Sequence, residues 1–148
     1  SLEDYCRDWR AVPPAPTFNP ALIRRVAEMA RRMHGGGINH RDFYICHFLL
    51  HLPVDANAPR LSLIDLHRAQ VREKTPRRWR DKDLAALYFS ALDIGLTKRD
   101  FLRFLKTYFA APLRDVLRDE SALLRHLASE SIRLMARYQR KYAPGAGA

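Results

Sequence analysis

Gly35-Gly36-Gly37-Ile38-Asn39-His40-Arg41-Asp42-Phe43-Tyr44-Ile45-Cys46-His47-Phe48-Leu49-Leu50 is the stretch around which the chain is organised. A second stretch, Leu61-Ser62-Leu63-Ile64-Asp65-Leu66-His67, answers it downstream. Each sets one carboxylate, Asp42 or Asp65, in a loop beside a short apolar run. Ile45 to Leu52 is expected to form a strand and Leu61 to Ile64 its returning partner, with the turn-rich Pro53-Val54-Asp55-Ala56-Asn57-Ala58-Pro59 between them. Such a hairpin carries Asp65 back beside the start of the first strand. Acids 23 positions apart can then share one site.

Working outward, the helix that delivers the chain into this stretch is the most legible element. Asn19 is the expected N-cap, with Pro20 at the first helical position and Phe18 and Ile23 placed for a hydrophobic staple. Leu22, Val26, Met29 and Met33 recur at helical spacing, Arg24, Arg25, Arg31 and Arg32 face outward, and a left-handed Gly35 or Gly36 is expected to close the helix. Before it, Ser1-Leu2-Glu3-Asp4 reads as a helix start, with Leu2, Tyr5, Cys6 and Trp9 on its apolar side and Pro13, Pro14 and Pro16 as a stiff stop. Ser1 already falls inside an element, so the chain is expected to be the continuation of something or a trimmed piece. After the second stretch, His67 to Lys82 is basic and poor in apolar residues and is expected to be a loop. Asp81 is expected to cap a helix through Leu84, Leu87, Tyr88 and Leu92 that ends near Gly95. Thr97-Lys98-Arg99-Asp100 resembles a capping box opening a helix with Phe101, Leu102, Leu105 and Phe109. Pro112 starts a last helical region with a break expected near Ser121, and residues 144–148 read as a flexible tail. The sum is an α+β, mostly helical fold.

The 148 residues suffice for one domain with its own core. No apolar run is long enough to span a membrane, and no secretory leader pattern opens the sequence. Lys and Arg outnumber Asp and Glu 26 to 16, a net charge of +10 that favours an anionic partner. Cys6 and Cys46 form neither a disulfide framework nor a CxxC pair and are expected to be reduced.

The helix, the Gly-containing turn and His40-Arg41-Asp42 resemble the catalytic loop of a protein-kinase-like C-terminal lobe, and Asp65-Leu66-His67 stands where kinases carry Asp-Phe-Gly. The match tightens over Asn39 to Leu49, over Ile64-Asp65-Leu66-His67-Arg68-Ala69-Gln70, and over Pro76-Arg77-Arg78-Trp79-Arg80-Asp81-Lys82-Asp83-Leu84. These stretches resemble the lipopolysaccharide core heptose(I) kinases of the Kdo/heptose kinase group, and the similarity runs from Ser1 to about Leu117. The resemblance implies residues 1–143 as a C-terminal lobe. It implies ATP-dependent phosphorylation of a heptose hydroxyl of the inner core, in the cytoplasm at the face of the inner membrane. It also suggests acyl carrier protein, an acidic partner suited to a basic chain.

On that resemblance Asp42 is the expected catalytic base and Asp65 the expected Mg²⁺ ligand, a hard cation favouring carboxylate. Read without it, each is an ordinary turn aspartate. His47 stands where kinases place Asn. It either ligates the metal, holds a metal-bound water or orients Asp42. His40 and Arg41 are expected to support the catalytic loop, and Asp83 either braces that loop's backbone or simply opens a helix. Arg68, Arg72, Arg77, Arg78 and Arg80 are candidates for the acceptor's carboxylates and phosphates, because guanidinium pairs bidentately with both. Arg118, Arg125, Arg133, Arg137, Arg140 and Lys141 read instead as a solvated or membrane-facing helix surface. No Gly-rich loop, strand lysine or helix glutamate precedes Asp42. The nucleotide lobe is therefore expected to lie outside this chain, and these residues alone are expected to transfer phosphate poorly. The alternative is a non-catalytic basic helical module that binds nucleic acid, membrane or an acidic carrier. Nucleic acid is the less favoured, because the best-formed helices end in apolar aromatic faces that suit a core.

Overall fold

A computed structural model of the chain describes residues 1–7 and 18–142. Trp9, Pro13, Pro14, Pro16, the side chain of Phe18 in the expected staple, and residues 144–148 lie outside the described residues. Helix α1 (Leu2–Cys6) opens on a full capping box: the Ser1 hydroxyl accepts from the Asp4 amide, and the Asp4 carboxylate returns to the N-cap backbone. Helix α2 (Phe18–Gly35) leads to strand β1 (Ile38–Asn39). A 3₁₀ turn at Ile45–His47 precedes β2 (Phe48–Leu50), followed by β3 (Leu61–Leu63) and β4 (Gln70–Val71). Helices α3 (Arg77–Ser90), α4 (Lys98–Phe109), α5 (Leu113–Asp119) and α6 (Ser121–Tyr142) complete the order.

The helices supply the body and two small antiparallel sheets supply the loops. Helix α2 packs chiefly on α4, and α3 on α6. Between them Phe43 and Phe48 are fully buried, with ring centroids 5.4 Å apart. Phe43 therefore nails down the loop that carries Asp42 one residue earlier. Strands β2 and β3 form the expected hairpin, with Phe48 opposite Leu63 and Leu50 opposite Leu61. The expected strand from Ile45 starts late, however. The Ile45 amide is taken by the Ser90 hydroxyl at 2.9 Å and the His47 amide by the Tyr44 carbonyl at 3.0 Å, which leaves a turn rather than a ladder. A continuous apolar run does not distinguish the two.

Three further expectations change. Helix α2 already includes Phe18, so Asn19 lies inside the helix and is not its N-cap. The left-handed glycine is Gly37, at φ 85°, and neither Gly35 nor Gly36. Helix α3 begins at Arg77 behind Pro76, four residues before the expected cap at Asp81. A basic first turn opposes the helix dipole. Glu120, reaching from the α5–α6 junction, offsets it by pairing with Arg77 at 2.7 Å and Arg80 at 3.1 Å. The Thr97–Asp100 capping box and the break before Ser121 form as expected. Cys6 and Cys46 are free thiols, and burial pushes the Cys6 thiol up to about 12.

The second sheet, β1 with β4, has no counterpart in the sequence reading. It begins where the Arg72 amide donates to the Gly37 carbonyl at 2.8 Å. A Cβ at Gly37 would stand 1.9 Å from the Arg72 carbonyl oxygen. Gly37→Ala therefore meets both a left-handed backbone and a clash, and is expected to lower unfolding free energy by at least about 2 kcal/mol. Urea denaturation of the variant checks it.

Candidate active site

The Asp42 loop and the Asp65 loop are held together by two histidines. His40 is fully buried. Its Nε2 donates to the Ile64 carbonyl at 2.9 Å, and its Nδ1 accepts from the Asp42 amide at 3.2 Å. One ring thus ties the residue before Asp65 to Asp42 itself. His47 lies 5.8 Å away in a stacked arrangement. Its Nδ1 meets the Asp42 carbonyl oxygen at 2.6 Å, and its Nε2 meets the Asp65 carboxylate at 3.1 Å. Both ring nitrogens of His47 are therefore engaged, and the side chain spans the two loops. The other Asp65 oxygen faces Nδ1 of the exposed His67.

Asp83 holds the loop from below. Its carboxylate is buried and accepts the His40 amide at 2.8 Å, the Arg41 amide at 3.0 Å and His34 Nε2 at 2.9 Å. His34 in turn meets the Tyr108 hydroxyl through Nδ1 at 2.7 Å. With the proton on Nε2, Nδ1 accepts from Tyr108. Burial pushes the Tyr108 phenol up, so its proton stays on oxygen. Arg41 itself has φ 74° and an exposed side chain, and it makes no ion pair among the described residues. Asp65 also has a positive φ, 64°. Two non-glycine residues in the left-handed region, one on each loop, are the strained points of the site.

The five candidate arginines are sorted by their partners. Arg68 pairs with Asp42 Oδ1 at 2.7 Å. Arg72 donates to Gln70 at 3.1 Å and to Asn39 at 3.4 Å, and lies over the Trp79 ring with Arg78. Arg77 and Arg80 are committed to Glu120. Burial opposes the Arg80 charge, and the Asp81 and Glu120 carboxylates outweigh it, so its pKa is raised.

Sequence reasoning missed His34 and Tyr108 altogether. The available signal was His34 itself, a polar residue four positions after buried Ala30 on the apolar face of α2. Among the described residues, no cluster of three or more His, Cys, Asp or Glu side chains is arranged to hold a metal alone. Magnesium at phosphoryl-transfer sites takes one or two carboxylates and completes its shell with phosphate oxygens and water. Asp65, with 39% of its side chain exposed, fits that requirement.

The family model described as lipopolysaccharide kinase (Kdo/WaaP) matches residues 1–108. The chain belongs to the lipopolysaccharide kinase (Kdo/WaaP) family. Among members of this family, the lipopolysaccharide core heptose(I) kinase WaaP of Pseudomonas aeruginosa is 60% identical over 141 residues, covering 94% of this chain and 53% of that protein. WaaP of Escherichia coli K12 is 57% identical over 143 residues, covering 95% of this chain and 54% of that protein. A solved structure described as WaaP in complex with acyl carrier protein superposes with a TM-score of 0.86 at 61% identity, over 90% of this chain and 56% of that one. The chain thus spans about half the length of the curated Kdo/WaaP relatives it matches. The fold is that of a protein-kinase-like member of this family.

Proposed function

We propose that this chain carries the catalytic half of an ATP-dependent kinase that phosphorylates a heptose hydroxyl of the lipopolysaccharide inner core. The observation that carries the reading is the span of His47 between Asp42 and Asp65, on a loop whose backbone Asp83 braces. The 57–60% identity to heptose(I) kinases supports the substrate class.

In this reading the acceptor hydroxyl donates a hydrogen bond to the Asp42 oxygen that Arg68 leaves free. An oxygen–phosphorus bond forms to the γ-phosphate, the bond to the β,γ-bridging oxygen breaks, and ADP leaves. Asp42 takes the hydroxyl proton. A bound Mg²⁺ would neutralise charge developing on the transferring phosphate, and Asp65 would hold it. His47 positions Asp65 against the Asp42 loop, and His40 and Asp83 hold the backbone through which Asp42 is aimed. Arg68 is the acceptor-facing cation nearest the chemistry. The net charge of +10 suits acidic partners, acyl carrier protein among them, and suits an anionic membrane surface. The solved complex of the relative supports the carrier protein as a partner. No described helix is long and apolar enough to cross a membrane, and we place the enzyme at the cytoplasmic face of the inner membrane as a peripheral protein.

The test is transfer of labelled phosphate from ATP to inner-core lipopolysaccharide by the full-length protein, wild type against Asp42→Asn and Asp65→Asn. Asp65→Asn is expected to raise the Mg²⁺ concentration for half-maximal activity at least about tenfold, the lower end of what a group near a metal contributes. Equal labelling by all three proteins would overturn the reading.

A further inference from the structure

Three cations converge on one indole. Arg78 Cζ lies 5.0 Å from the centre of the Trp79 ring, Arg72 Cζ 5.5 Å and Lys82 Nζ 4.8 Å. Trp79 is half-buried, Arg72 is half-buried, and Arg78 and Lys82 are exposed. None of the three has a carboxylate within ion-pair distance among the described residues. Arg77 and Arg80, on the same helix as Arg78 and Lys82, differ: both pair with Glu120, and Arg80 also with Asp81. Like charges gathered on one ring repel each other. The quadrupole of one ring face attracts a cation, yet it does not neutralise three. The fold has thus matched the structural arginines with acids and left a compact group of positive charge without one.

The group is fixed to the candidate active site. The Arg72 amide donates to Gly37, and its guanidinium donates to Asn39, three residues before Asp42. Arg68, on the same segment, touches Asp42. Arg68 and Arg72 are four positions apart, a Cα span of at most about 14 Å. A short oligosaccharide covers that reach.

We propose that Arg72, Arg78 and Lys82, arranged on Trp79, form a binding subsite for a carboxylate-bearing sugar of the acceptor, adjoining the sugar whose hydroxyl meets Asp42. The inference deepens the proposed function and rests on its acceptor being an anionic saccharide. The two guanidinium groups offer paired donors to planar carboxylates. Lys82 adds a third charge and so suits a ligand with more than one anionic group. Trp79 gives the cluster a rigid base and a spectroscopic reporter.

The experiment uses the full-length protein with Trp9→Phe, so that within this chain Trp79 alone reports. Its emission is titrated with deacylated inner-core oligosaccharide, with the same oligosaccharide after reduction of its carboxyls to alcohols, and with phosphatidylglycerol vesicles. The expected result is a saturable change with the acidic oligosaccharide and about tenfold weaker binding for each charge-assisted contact removed. The reduced oligosaccharide binds correspondingly weakly. Arg72→Gln/Arg78→Gln/Lys82→Gln abolishes the titration and raises the acceptor KM about a thousandfold, about tenfold for each of the three contacts, with the KM for ATP unchanged. Arg31→Gln/Arg99→Gln/Lys106→Gln makes the same change in charge at exposed positions elsewhere and leaves both measurements unaltered. A Trp79 response to the acidic oligosaccharide without any phosphate transfer supports the subsite while removing the catalytic reading. Normal transfer with an unchanged acceptor KM in the triple variant overturns the subsite and leaves the catalytic reading standing. Equal binding of acidic and reduced oligosaccharides overturns it too, as does a response to vesicles alone.

Discussion

Asp42→Asn is expected to lower phosphate transfer by the full-length protein by about 10²- to 10⁴-fold, the usual contribution of a positioned general base. The substitution is close to isosteric, and it spares the contacts that build the loop. Asp42 reaches its neighbours through its backbone, with its amide on His40 and its carbonyl on His47. Phe43, which anchors the loop, is untouched and fully buried. Arg68 can still donate to the amide oxygen, so the side chain keeps its direction and loses its charge and basicity. The loss should therefore fall on kcat, with the KM for ATP and the melting temperature near those of the wild type. The effect is bounded above because phosphoryl transfer draws mainly on positioning and charge stabilisation. Steady-state kinetics check it, and a fall in kcat of less than about tenfold would remove Asp42 from the role of base.

What could be read from the sequence was what is local. The Ser1 and Thr97 capping boxes close within three residues, so the residues that make them are adjacent in the chain. The Asp42 and Asp65 loops were visible because each is flanked by an apolar run, and the hairpin joining them obeys its turn chemistry. The β1–β4 pair was not visible. Strands of two residues have no periodicity to detect, and Ile38 meets Val71 only because Gly37 admits the Arg72 carbonyl. The start of α3 was misplaced because the partner that steadies its basic first turn, Glu120, lies more than forty residues downstream of Arg77. The same distance hid the sorting of the arginines. In the sequence Arg68, Arg72, Arg77, Arg78 and Arg80 are one charge run, while in the fold they belong to Asp42, Trp79 and Glu120. The brace under the loop was half legible. Asp83 was a candidate, but His34 and Tyr108, 74 positions apart, meet only through tertiary packing.

That brace carries the second large effect. Asp83→Ala is expected to cost about 3–5 kcal/mol of unfolding free energy, the range for removing one partner of a buried charged network. The carboxylate is 2% exposed and accepts the His40 amide, the Arg41 amide and His34 Nε2. Alanine leaves all three donors without an acceptor, and little water can reach them to replace it. Asp83→Asn is not a mild alternative. An amide has one acceptor oxygen, and its NH₂ must face a donor whichever way it is turned, so it too should destabilise, by a smaller margin. The consequence extends to chemistry through Arg41. At φ 74° its backbone sits in a region that costs a non-glycine residue about 1–3 kcal/mol, and the hydrogen bond from its amide to Asp83 helps hold it there. Without that acceptor Arg41 can relax toward ordinary dihedrals, and Asp42, the next residue, turns with it. Under conditions where the variant remains folded, kcat should therefore fall while the KM for ATP holds. Amide exchange at Arg41 should accelerate beyond the change at Phe101, which lies on α4 away from the loop. Urea unfolding measures the first effect and hydrogen exchange with kinetics the second. A stable Asp83→Ala protein with wild-type kcat would mean that the loop holds its strained form unaided.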